Sequence, residues 1–132
     1  MEKLKIKICA SSDSFGAYSE NCDGIYAAGD TVEEVKADVL EAIRLIKKNL
    51  PEDRWPEVIK GDYEIEWDYD TQSLLQYFSG TFTNAALQRR TGINQKQLWN
   101  YANGISKPRP AQRQKIIRAL HSLGAELTAL PL

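Results

Sequence analysis

The chain has 132 residues with two cysteines, one histidine and a formal net charge of −1 at pH 7, a length that suits one domain or two small ones. No stretch reaches the ~18 apolar residues of a membrane span and no apolar segment follows Met1, so a cytoplasmic protein with reduced Cys9 and Cys22 is expected. Two cysteines thirteen residues apart and the single His121 make neither a zinc set nor a Cys/His catalytic pair, so no metal, cofactor or enzymatic activity is expected.

The near-neutral total hides a split. Residues 1–70 hold nine lysines and arginines against 17 acids, a net of −8; residues 71–132 hold eight against one, Glu126, a net of +7. The C-terminal half is therefore fit to approach a polyanion, and the N-terminal half suits a basic partner.

In chain order, Met1 to Ala10 alternates Lys3, Lys5 and Lys7 with Leu4, Ile6 and Ile8, the period of a strand with one wet face. Phe15 to Glu20 and Ile25 to Ala28 read as two more strands, separated by turns, so the chain opens as a meander. Thr31-Val-Glu-Glu34 is a capping box, in which Thr31 takes one orphan amide and Glu34 returns to the Thr31 amide. The helix it starts carries a stripe of Val35, Val39, Ala42, Ile43, Ile46 and Leu50, and Asn49 and Pro51 stop it. Glu52 to Gly61 reads as a surface crossing. Tyr63, Ile65, Trp67 and Tyr69 then alternate with Asp62, Glu64, Glu66 and Asp68 in a fourth strand with an aromatic face and an acidic one.

Phe15 to Glu20, Gly24 and the run GDTVEEVKADVLEAI resemble the HicB-like antitoxin domain. The resemblance implies an α+β fold for residues 1–70, a small βββαβ layer of the reduced ribonuclease-H-like kind without catalysis of its own. Its implied role is to bind a small basic ribonuclease toxin of the HicA type, with Asp62, Glu64, Glu66 and Asp68 as the candidate contact residues. A metal-dependent nuclease is disfavoured, because these acids form an open row along one strand rather than a convergent cluster.

The sign of the charge changes past Asp68 to Gln72, which marks the boundary before residues 71–132. Thr71 is placed to cap a helix carrying Leu74, Leu75 and Phe78, ended by Gly80. Thr83 opens a second helix and Gly92 turns it into a third, from Asn94 to Asn103, with Gly104 as its stop. Leu87, Ile93, Leu98 and Tyr101 fall where two short helices at a steep angle share a core. Lys107-Pro-Arg-Pro110 is a stiff basic arm, and Ile117, Leu120 and Leu123 form the stripe of a last helix, closed by Gly124.

LQRRTGINQKQLWNYANGISKP resembles the Xre/Cro-like helix-turn-helix domains, except that Gln88 stands where that family carries Ala. The resemblance implies an all-α, λ-repressor-like domain over residues 71–132 that binds double-stranded DNA, with Gln95, Lys96 and Asn100 at base edges. Asn94, Trp99 and Asn103 are further candidates on the same helix, and Lys107 and Arg109, with Arg89 and Arg90, are candidates for phosphate. A HicB-like domain followed by an Xre-like domain implies a type II antitoxin that represses its own operon, at least as a homodimer, since two half-sites need two recognition helices. The alternative is an Xre-like transcriptional regulator whose N-terminal domain senses a ligand or oligomerises.

Overall fold

Alternation of lysine with Leu4, Ile6 and Ile8 builds β1 (Glu2–Ala10), whose three aliphatic side chains are 0% exposed. In the computed structural model, which describes residues 1–132, β1 lies inside a four-stranded mixed sheet of order β3-β2-β1-β4. β2 (Phe15–Ser19) and β3 (Tyr26–Gly29) complete an antiparallel meander, with Ala17 between Ile8 and Ala27. β4 (Tyr63–Tyr69) runs parallel to β1, setting Leu4 beside Ile65 and Ile6 beside Trp67. Strands in parallel need a long crossover, and α1 (Val32–Asn49) lies within it.

The Thr31 hydroxyl accepts from the Glu34 N–H at 3.1 Å, as the capping box requires. Its reciprocal half differs from expectation: the Glu34 carboxylate accepts from the Asp30 N–H at 2.8 Å rather than from Thr31. Gly29 is needed just before this start, because a Cβ there would lie 2.8 Å from the Glu34 Cβ. The buried stripe of α1 is Val32, Val35, Val39 and Ile43. Leu50, expected to continue it, is instead 39% exposed, because its extended backbone carries it off the helical face.

The crossing from Glu52 to Gly61 is also less superficial than its polar sequence suggests. It forms two 3-10 turns, and the second, Glu57–Ile59, buries Val58 and Ile59 in the core with β1. The Trp55 indole N–H donates to the Leu50 carbonyl at 2.9 Å and fixes the start of this path.

α2 (Thr71–Tyr77) is capped by Asp70, whose carboxylate accepts from the Ser73 N–H at 2.8 Å; Thr71, the expected cap, is the first helical residue and is buried. Ser73 is fully buried and its hydroxyl donates to the Ile8 carbonyl at 2.8 Å, so a polar side chain inside the core has a partner. By its internal contacts the chain divides into two compact units, Met1–Ser73 and Leu74–Leu132, with the division inside α2. Residues 71–73 carry no charge, so these units keep the net −8 and +7.

The second unit adds α3 (Asn84–Thr91), α4 (Gln95–Ala102) and α5 (Pro110–Thr128) around Leu75, Leu87, Ile93, Leu98, Tyr101 and Ile116. Here α5 departs from the expected phase. Its buried side chains are Ile116 and Ala119, with Leu120 packed beside them, whereas Ile117 and Leu123 are only half-buried. Gly124 does not end the helix. It lies inside it, at the ~1 kcal/mol cost that an isolated helical glycine carries, and its carbonyl accepts from the Thr128 hydroxyl at 2.8 Å. No helix is long and apolar enough to cross a membrane.

Candidate nucleic-acid interface and acidic strand

The α3–α4 turn is assembled from short-range hydrogen bonds. The Thr83 hydroxyl caps α3 by accepting from the Ala86 N–H at 3.0 Å. Gly92 ends it at φ 76°, a left-handed conformation that costs other L-residues roughly 1–2 kcal/mol. The Thr91 hydroxyl donates to the Leu87 carbonyl at 2.7 Å and accepts from the Ile93 N–H at 3.0 Å, which leads Ile93 into the core. At the start of α4, the Asn94 side chain accepts from the Lys96 N–H at 2.8 Å. Gln88 completes the cap, its side-chain oxygen accepting from the Gln95 N–H at 2.7 Å across the turn.

Gln88 is thus a positioning residue that the family pattern hid, since an Ala there has no hydrogen bond to give. Gln76 and Gln97 were missed too, because their partners lie 26 and 9 residues away and no local pattern signals them. The Gln76 amide donates to the Ala102 carbonyl at 2.7 Å and the Gln97 amide to the Ser106 hydroxyl at 3.2 Å, fixing the far end of α4 and the loop after it.

With Leu98 and Tyr101 buried, 100° per residue places Lys96, Trp99, Asn100 and Asn103 on one outward stripe, with Gln95 at its border. Gln95, Lys96 and Asn103 are exposed, Trp99 is 50% exposed, and Asn100 is half-buried at the flank. Asn103 is partly engaged, its amide donating to the Trp99 carbonyl at 2.8 Å, and Asn94 serves as the cap. Lys107 and Arg109 are exposed in the segment between α4 and α5. Arg89 is exposed too, but Arg90 is held by Glu126 at 2.9 Å, and that hydrogen bond and the arginine's charge hold the Glu126 carboxyl below the usual carboxylate range.

In the N-terminal unit, Glu64, Glu66 and Asp68 project from the exposed face of β4, and Asp62 just precedes it. The row is not the bare acidic face that the alternation suggested. The parallel register places Lys3, Lys5 and Lys7 beside Glu64, Glu66 and Asp68. Lys3 lies 4.0 Å from Glu64, and Lys7 bridges Asp68 and, at 3.8 Å, Glu20. A shallow groove of about 310 Å³ runs here, lined by Lys5, Glu20, Glu66, Trp67 and Asp68.

Comparison with protein-family models, with curated proteins and with solved structures finds no match to this chain.

The other face of β4 packs against the core, where Lys36 lies 5.2 Å from the Trp67 ring centre and Lys47 5.3 Å from that of Tyr63. Two exposed tyrosines were not foreseen: Tyr18 and Tyr26 are cross-strand partners on the face that carries Lys7, 41% and 75% exposed. Burial pushes the Cys9 and Cys22 thiols up, Cys9 with help from Asp70 and Cys22 from Asp23. No group of three or more His, Cys, Asp or Glu side chains is arranged to hold a metal ion.

Proposed function

We propose that the protein is a HicB-like antitoxin of the cytoplasm, whose N-terminal unit binds a small basic ribonuclease toxin and whose C-terminal unit binds the operator of its own operon. In this reading the α+β layer β1-β2-β3-α1-β4 is the reduced ribonuclease-H-like domain, and α2–α5 are the λ-repressor-like domain. One observation carries the reading. A helix of eight residues, held at its start by Asn94 and Gln88, presents Lys96, Trp99 and Asn100 outward, with Asn103 at its C-cap on the same stripe, from a unit of net charge +7. Gln95, Lys96 and Asn100 read base edges, Trp99 lies against a thymine methyl, and Lys107 and Arg109 clamp phosphates. The net −8 of the other unit supports a basic protein as its partner.

The test has two arms. The full chain, expressed with a basic ribonuclease encoded beside it, copurifies with it at fixed stoichiometry and suppresses its RNA cleavage. In DNA titrations, Gln95→Ala costs about 1–3 kcal/mol on the operator and spares scrambled duplex, whereas Lys107→Ala weakens both and makes the slope of log K against log salt shallower by ~0.9. Equal effects of both substitutions on both duplexes would refute groove reading by α4. A strictly monomeric protein on DNA would refute the homodimer that two half-sites require.

The lysines beside the β4 acids favour a second reading, an Xre-like regulator whose N-terminal unit senses a ligand or oligomerises, because they lower the net charge that the acids offer. Operator binding without any copurifying basic protein is its signature.

A further inference from the structure

β3 and β4 are the two edges of the sheet, and they are finished differently. At β3 the Ala28 N–H donates to the Asp38 carboxylate of α1 at 3.0 Å, so a helix side chain blocks that edge. At β4 the phase of the ladder is set by the Asp70 N–H, which donates to the Ile8 carbonyl at 3.0 Å. Alternation along the strand therefore turns the N–H and C=O groups of Glu64, Glu66 and Asp68 toward β1, and those of Tyr63, Ile65 and Trp67 outward. The Tyr69 N–H, next in the outward series, is taken by the Asp68 carboxylate at 2.8 Å. Nothing in the chain takes the backbone groups of Ile65 or Trp67. The strand has seven residues and neither proline nor glycine, so what guards this edge is the charge of Glu64, Glu66 and Asp68, a device that turns away acidic strands and leaves a basic one free to pair.

The side chains say which strand fits. On its paired side β4 already accepts an alternation of lysine and aliphatic residues, Lys5 beside Glu66 flanked by Leu4 beside Ile65 and Ile6 beside Trp67. On its free side that complement is missing. Leu4 and Ile6 are 0% exposed, whereas Ile65 and Trp67 stay half-exposed and leave an apolar lip under the open edge. A second copy of β4 is excluded by charge, since antiparallel pairing about Glu66 sets acid against acid at each exposed position, and like charges directly opposite destabilise a sheet.

We infer that the free edge of β4 is a docking site for an extended segment of the partner that alternates Lys or Arg with apolar residues, added to the sheet as a fifth strand. This rests on the reading of the N-terminal unit as the half that binds a basic protein. Main-chain hydrogen bonds to Ile65 and Trp67 hold the segment, and its cations meet Glu64, Glu66 and Asp68 from the side that β1 does not reach.

The test uses the full chain and a blocked peptide of about seven residues alternating lysine and valine, the length of one ordinary strand. Three controls accompany it: the same peptide with glutamate for lysine, the same peptide with alternate backbone nitrogens methylated, and the protein variant Glu64→Gln/Glu66→Gln. The expected result is slowed hydrogen exchange of the Ile65 and Trp67 amides on binding. Affinity falls at least about tenfold with either peptide control and several-fold with the variant. If the methylated peptide binds as well as its parent, or the amides stay unprotected, strand addition is refuted. If these results fail while a basic ribonuclease still copurifies, only the docking edge is lost; if they hold and none copurifies, the edge stands and the toxin reading fails.

Discussion

Ile6 in the N-terminal unit and Leu98 in the C-terminal unit are both fully buried, yet their surroundings differ in kind. Ile6 belongs to a core of twelve buried residues drawn from two strands, the turn before β3, a helix and a 3-10 turn, parts of the chain that are far apart in sequence. Leu98 belongs to a core of six, held between helices of which two are eight residues long, too short to persist in water without packing and caps. The N-terminal unit is therefore held by long-range burial, which leaves the exposed face of its sheet free to carry paired charges. In the C-terminal unit the polar side chains have two duties. Gln76, Gln88, Asn94 and Gln97 hold helices in place, while Gln95, Lys96 and Trp99 face outward.

Leu98→Ala is the strongest way to break that contrast. Truncating a fully buried Leu costs about 2–5 kcal/mol, a large share of what a six-residue core supplies. The expected outcome in a two-dimensional amide NMR spectrum is loss of dispersion for residues 74–132 with the sheet signals of residues 1–73 retained. Joint loss of both sets would show that the two cores do not stand independently.

Two glycines sharpen the comparison at a smaller scale. At Gly29 a Cβ meets the Glu34 Cβ at 2.8 Å, whereas at Gly92 no atom lies within 4 Å and only the positive φ of 76° forbids a side chain. Gly29→Ala is expected to cost about 1–3 kcal/mol through overpacking and Gly92→Ala about 1–2 kcal/mol through backbone strain. Asn tolerates the left-handed region, so Gly92→Asn recovers part of the loss and Gly29→Asn recovers none. Thermal melts of the four variants separate the two causes; equal recovery at both positions would contradict them.

Wherever periodicity carried the information, the elements were legible. Lys3 to Ile8, Val35 to Ile43 and Tyr63 to Tyr69 declare their faces by spacing, and Thr31, Thr83, Asn94, Gly92 and Gly104 announce helix ends through local hydrogen bonding and φ. The rest depended on partners distant in sequence. Nothing near Val58 and Ile59 signals burial, because the strand they cover begins the chain. Ile116 and Ile117 are equivalent in sequence, and only the direction from which the rest of the core approaches chooses between them. At the candidate sites the outward stripe of α4 followed from its buried residues. The register of β1 with β4 did not, and that register turned an acidic row into a row flanked by lysines.

The smallest expected effect concerns Glu126, the single acid of the C-terminal unit, whose carboxylate ties Arg90 of α3 to α5 at 2.9 Å. An exposed pair of this kind adds little stability, so Glu126→Gln should leave the melting behaviour nearly unchanged. Its consequence lies in binding. Release of Arg90 adds one cation beside the α3–α4 turn, so the full chain should bind duplex DNA more tightly, with a salt slope steeper by up to ~0.9. The pH dependence has a defined sign. The Arg90 hydrogen bond, and then its charge, lower the Glu126 pKa, so the pair is intact above the ordinary carboxylate range and is lost only as pH falls through the lowered folded value. Below that value the unmodified chain should approach the DNA affinity of Glu126→Gln, whose own affinity lacks this step. An unchanged salt slope in the variant would place Arg90 away from the phosphates and leave its pair with Glu126 as a link between α3 and α5 alone.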